Sequence, residues 1–150
     1  MGCDIHAVLQ VKINDSWITK EEIFNFRNYE VFAFLAGVRN YSDIEPLNEP
    51  KGYPVDFKDE RDDRHSASWF NAEELLSIDY PNKTVEDCRC TIQTGPNSYN
   101  GGATCEKGKG RLMTLSSFLG SSFMNDIYLI KDYTTDYGKA NVRVVFDFDN

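Results

Sequence analysis

A single α+β domain is what this sequence predicts, with a mixed or antiparallel sheet that includes both terminal strands and about three helices. Three observations carry that expectation. Apolar and polar residues alternate near the start, they alternate again at the end, and apolar residues recur at helical spacing between the two. The chain has 150 residues, of which 41% are hydrophobic and 13% aromatic, enough to bury one core.

The first strand runs from Asp4, with Ile5, Ala7, Leu9, Val11 and Ile13 on one side. Asp4, His6, Gln10 and Lys12 take the other side, and Val8 breaks the alternation. Asn14-Asp15 signals a turn, and Ser16-Trp17-Ile18 begins the return strand. The start Met-Gly-Cys invites lipidation at Gly2 and Cys3. His stands at position 6, where myristoylation favours Ser or Thr, and a strand that begins at once leaves no extended arm, so none is expected.

Asn28 suits an N-cap, and Val31, Phe32, Leu35 and Val38 recur at helical spacing, which predicts a helix over Tyr29–Arg39. Residues 43–64, with three prolines and many charges, read as an irregular surface excursion of the kind that often forms a lid or binding loop. Asn71 and Glu74 fit a capping box for a second helix through Leu75 and Leu76. His65, Ser66, Ser68 and Trp69 precede that start, where exposed N–H groups and the positive end of a helix would suit an anion. Residues 81–111 carry two prolines, five glycines and no periodicity, and read as a flexible insertion within the domain. Thr114 caps a third helix running towards Ile130, with Gly120 as its weak point. Val142, Val144, Phe146 and Phe148 then alternate with Arg143, Val145, Asp147 and Asp149 in the closing strand.

Charge and cysteine usage exclude several function classes. A net charge of -8 argues against a nucleic-acid surface. The Lys107, Lys109 and Arg111 cluster reads as a solvated loop, and the glycines around it miss the phosphate-loop spacing. No apolar run approaches the roughly 20 residues of a membrane span. With no secretory signal at the start, the protein is expected in the cytoplasm, its four cysteines as free thiols.

The candidate chemistry rests on a few polar residues. Asp4 and His6 share a strand face and could hold a divalent metal together with His65, or pair as carboxylate and imidazole. In a catalytic reading His65, His6 and Asp4 form a hydrolase or phosphodiesterase site. In a binding reading Ser66 and Ser68 serve a phosphate and Trp69 stacks on a ring. Arg27, Asn28, Tyr29, Arg39 and Arg143 then supply planar or bidentate contacts.

Five stretches taken together resemble a family of small proteins encoded by bacteriophages and prophages. They are MGCDIH at 1–6, RNYEVFAFLAGVR at 27–39, EPKGYPVDF at 49–57, HSASWF at 65–70 and VRVVFDFDN at 142–150. Residues 81–111 have no counterpart in that resemblance. It implies a protein made in a bacterial host cytoplasm, and it transfers no catalytic residue. The leading expectation is an accessory protein that sequesters a small polar ligand, such as a nucleotide or a nucleotide-derived immune signal. A His/Asp-dependent hydrolase and an inhibitor that binds a host protein directly are the alternatives.

Overall fold

The computed structural model describes residues 2–150, and the fold is α+β with antiparallel pairing throughout its sheets. The chain divides into two compact units. One comprises Met1–Arg27, Pro50–Ile78 and Ser121–Asn150, the other Asn28–Glu49 and Asp79–Gly120.

The first unit is built on a four-stranded sheet in the order β2-β1-β8-β3, with β1 at Asp4–Ile13, β2 at Ser16–Ile23, β3 at His65–Asn71 and β8 at Val142–Asp149. Asn14 and Asp15 both take positive φ, 51° and 64°, the backbone of a two-residue hairpin turn whose twist matches the strands it joins. The two terminal strands are direct neighbours, with Asp4 opposite Asp149 and Val11 opposite Val142. Ile5, Ala7, Leu9 and Val11 of β1 and Val144, Phe146 and Phe148 of β8 are buried on one face. The helices α2 (Ala72–Leu76) and α4 (Ser121–Tyr137) pack on the sheet and bury Leu75, Phe123, Ile127 and Ile130. Seven of the eight residues of β8 are buried, Arg143 and Asp147 included. A central strand can bury both faces only if something also covers the second, and here that is the segment after Pro50.

Phe24 sits at φ 54°, a conformation that a bulky side chain adopts only under constraint. Its N–H donates to Asp126 at 2.7 Å, and its ring stacks on Phe123 at 5.1 Å. Burial raises the Asp126 pKa, which the Phe24 N–H opposes. A raised folded-state pKa means that the stabilising contribution is complete below the ordinary value of 3.8 and is lost as pH rises through the folded value. Asp126→Asn keeps an acceptor for Phe24 without the charge. It is expected to gain stability relative to wild type between about pH 4 and about pH 7. Urea denaturation of both chains at the two pH values checks this, and a constant difference would refute it.

In the second unit the expected helix ends earlier than its periodicity suggests. α1 covers Tyr29–Ala36, capped by the Asn28 side chain, which accepts from the N–H groups of Glu30 and Val31. Gly37 at φ 71° stops it, with the Gly37 and Val38 N–H groups folding back onto Ala33 and Phe32. Val38 and Arg39 therefore lie beyond the helix. The stretch read as a flexible insertion forms strands: β4 (Thr84–Asp87) pairs with β7 (Arg111–Thr114), and β5 (Arg89–Gly95) with β6 (Ser98–Thr104). Short strands rich in Gly, Asn and Thr lack the alternation by which a strand is read. The basic cluster there is neutralised locally, Lys107 by Asp43, Lys109 by Glu106 and Arg111 by Asp87. The third predicted helix is two helices, because Gly120 takes φ 89° and ψ 167° between α3 (Leu115–Leu119) and α4.

Candidate functional site

Directly opposed residues in an antiparallel sheet point to the same face. On the face of the first unit's sheet away from α2 and α4, β1 presents Asp4, His6, Val8, Gln10 and Lys12. β8 answers with Asp149, Asp147, Val145 and Arg143 in the same rows. Val8 and Val145 each break their strand's polar alternation, and they are register partners. They form an apolar patch in the middle of an otherwise polar face.

The segment 53–64 covers this patch and leaves a cleft of about 570 Å³. His6, Val8, Glu22, Val145 and Asp147 line it from the sheet, and Tyr53, Phe57, Lys58, Asp59, Glu60, Arg61 and Arg64 from the segment. The rings of Tyr53 and Phe57 stack at 5.3 Å and 6°. Asp147 anchors the segment: it accepts from Tyr53 Oη at 2.5 Å and from Arg64 Nη1 at 2.9 Å. Burial and the bond to Asp147 push the Tyr53 phenol up to about 12, so Tyr53 stays protonated and donates. Arg61 is bound to Asp63 and is about half exposed, so a ligand can recruit it.

His6 stands at the edge of the cleft, 44% exposed, with Nε2 2.7 Å from Asp149 Oδ2. The other carboxylate oxygen of Asp149 accepts from the Asp4 N–H at 3.0 Å. The bond to His6 and the Asp4 N–H hold the Asp149 carboxyl below the usual carboxylate range. Asp4 itself is engaged by Arg27 through Nε and Nη2, at 2.8 and 2.9 Å, and that contact lowers its pKa. A Cβ on Gly2 would run into the Arg27 guanidinium, so the tip of that side chain would have to shift to admit one.

The candidate residues are only partly brought together. Asp4, His6, Arg27 and Arg143 all belong to the polar face. His65 does not: it lies opposite Phe148, on the face of Ile5, and its ring stacks on Phe148 at 6.0 Å. His6 lies opposite Asp147, so the sheet separates the two histidines. The set Asp4, His6 and His65 is therefore not assembled, and among the described residues no group of three His, Cys, Asp or Glu could hold a metal ion. Ser66, Ser68 and Trp69 belong to β3 rather than to a helix start, and the helix after them has five residues. Ser66 sits at the bulge with φ 53°, and Ser68 is buried and accepts from the Lys51 N–H. Trp69 carries the Lys51 ammonium 4.4 Å from its ring centre. Asn28, Tyr29 and Arg39 belong to the second unit, where Asn28 is a helix cap and Arg39 lies 5.7 Å from the Tyr29 ring centre.

Sequence reasoning missed Tyr53 and Phe57 as lining residues. The signal that could have found the cleft is the paired irregularity of Val8 and Val145. Comparison with protein-family models, curated proteins and solved structures finds no match to this chain. Among the described residues no helix is long and apolar enough to cross a membrane.

Proposed function

We propose that the protein binds a small polar ligand carrying both a ring and an anionic group, of the nucleotide class, in the cleft beneath residues 53–64. One observation carries the reading: an apolar floor of Val8 and Val145 faces a wall that combines stacked aromatic rings with Lys58, Arg61 and Arg64, interspersed with Asp59 and Glu60. Binding sites for ring-bearing anions need that combination of flat apolar surface and cationic donors, in a cavity of this size. The three cations share the lining with Glu22, Asp59, Glu60 and Asp147, so the cleft offers an anion local donors rather than a net positive charge. In a phage setting, such a ligand would be a host signal held out of circulation.

A nucleotide panel tests this by mass balance. Cyclic dinucleotides, cyclic ADP-ribose isomers, NAD and common nucleotides are incubated with the protein. The free fraction and the fraction released by heating are then analysed by HPLC. One compound should disappear and return unchanged. Val8→Trp, which fills the floor, should abolish depletion while leaving the melting temperature close to that of wild type, and Arg61→Ala should weaken binding by about tenfold. If every compound stays free in the presence of wild-type protein, the reading fails.

The His6–Asp149 pair favours a second reading, an acid/base enzyme acting on the same ligand. In that case the released compound is altered, and His6→Ala returns it unchanged.

A further inference from the structure

Arg143 lies outside the cleft and is held more tightly than a structural ion pair requires. It is 4% exposed, on β8. Its Nε donates to Gln10 Oε1 at 2.8 Å, and Gln10 donates on to Thr19 at 3.1 Å, so a row across three strands fixes the plane of the guanidinium. The Trp17 ring centre lies 4.1 Å from its Cζ. Nη1 donates to Asp56 at 2.9 Å, while Nη2 is buried and has no hydrogen-bond partner among the described residues.

A guanidinium presents two parallel N–H groups at its tip, matched to the two oxygens of one carboxylate or phosphoryl group. Asp56 uses only one of them, from a turn where its side chain is 59% exposed. Leaving the other N–H buried and unpaired costs free energy that a two-point acceptor would recover. Lys12 adds a second positive charge: its ammonium lies 6.0 Å from the Trp17 ring, and its field reaches Asp56.

We propose that the tip of Arg143 is an oxyanion-binding site, taking a carboxylate or phosphoryl group end-on through Nη1 and Nη2, with Asp56 as the internal stand-in that the ligand displaces. Gln10 and Trp17 orient the fork, and Lys12 supplies the second positive charge. Asp56 lies between Tyr53 and Phe57 in sequence, so its release frees the first part of the segment that covers the cleft. The site does not rest on the cleft reading, because Gln10, Trp17, Asp56 and Arg143 do not line the cleft.

Trp17 reports on this site directly. In a Trp69→Phe background it is the sole tryptophan, since the chain has two. Inorganic phosphate and acetate are titrated at constant ionic strength while Trp17 emission is followed, in the parent, Asp56→Ala and Arg143→Met chains. Asp56 acts as a tethered competitor at millimolar effective concentration, so Asp56→Ala should bind the preferred probe at least about tenfold more tightly than the parent. The ranking of the two probes separates a phosphoryl from a carboxylate site. Equal affinity in parent and Asp56→Ala, or no saturable response to either probe in Asp56→Ala, overturns the proposal. So does an unchanged response in folded Arg143→Met. If Arg143→Met does not fold, the Asp56→Ala comparison decides by itself.

Discussion

Asp147→Ala is expected to lower folding stability by about 3–5 kcal/mol, because it strands a cation rather than simply removing a contact. The side chains of Arg64 and Asp147 are 14% and 8% exposed, so neither is well solvated. Without the carboxylate, Arg64 keeps a buried charge and the Tyr53 hydroxyl loses its acceptor. Asp147→Asn retains an acceptor of the same shape and should lose clearly less. Urea denaturation of the three chains measures this. A loss below about 1 kcal/mol for the alanine variant would mean that the pair behaves like a surface ion pair. In that case residues 53–64 are not anchored to β8. The same comparison bears on function, since an unanchored segment cannot maintain the cleft wall that it contributes.

Gly110→Ala is the second substitution with a large expected effect, about 1–3 kcal/mol. A Cβ there would lie 2.6 Å from the Asp87 carbonyl oxygen and 2.8 Å from Glu86 Cγ. Backbone cannot swing aside as a side-chain end can, so the ladder between β4 and β7 must give way. The Glu86 carboxylate also accepts from the N–H groups of Gly108 and Gly110, at 2.6 and 3.0 Å, and the added methyl disturbs that turn as well. Gly108→Ala separates the causes: φ there is 90°, yet nothing lies within 4 Å of a new Cβ, so only backbone strain acts. Hydrogen exchange should accelerate in 84–87 and 111–114 for Gly110→Ala and much less for Gly108→Ala. Equal acceleration in both would show that the close approach to Asp87 is not what makes Gly110 necessary.

Much of the first unit was legible in the chain. The alternation from Ile5 to Ile13, and that from Val142 to Phe148, became neighbouring strands with their apolar residues on one face. Asn28 and Asn71 were readable as caps because capping depends on atoms two or three residues away. The Gly120 interruption and the turn at Asn14-Asp15 were equally local. The 81–111 strands were not legible, because pairing rather than alternation makes them strands. The candidate site was half legible: Asp4, His6, Arg27 and Arg143 were singled out, and Asp4 and Arg27 are partners of one another, but which residues His6 and Arg143 would meet was not fixed.

Those partners lie far away in sequence. His6 meets Asp149 across 143 residues, Arg143 meets Gln10 across 133 and Asp56 across 87, and Tyr53 meets Asp147 across 94. Local chemistry decided which segments became strands and helices and which face of each strand was apolar, because propensity, capping and period act over a few residues. Only the tertiary structure decided that His65 faces away from His6. Strand register sets the face of every side chain, and a shift of one residue would have reversed it.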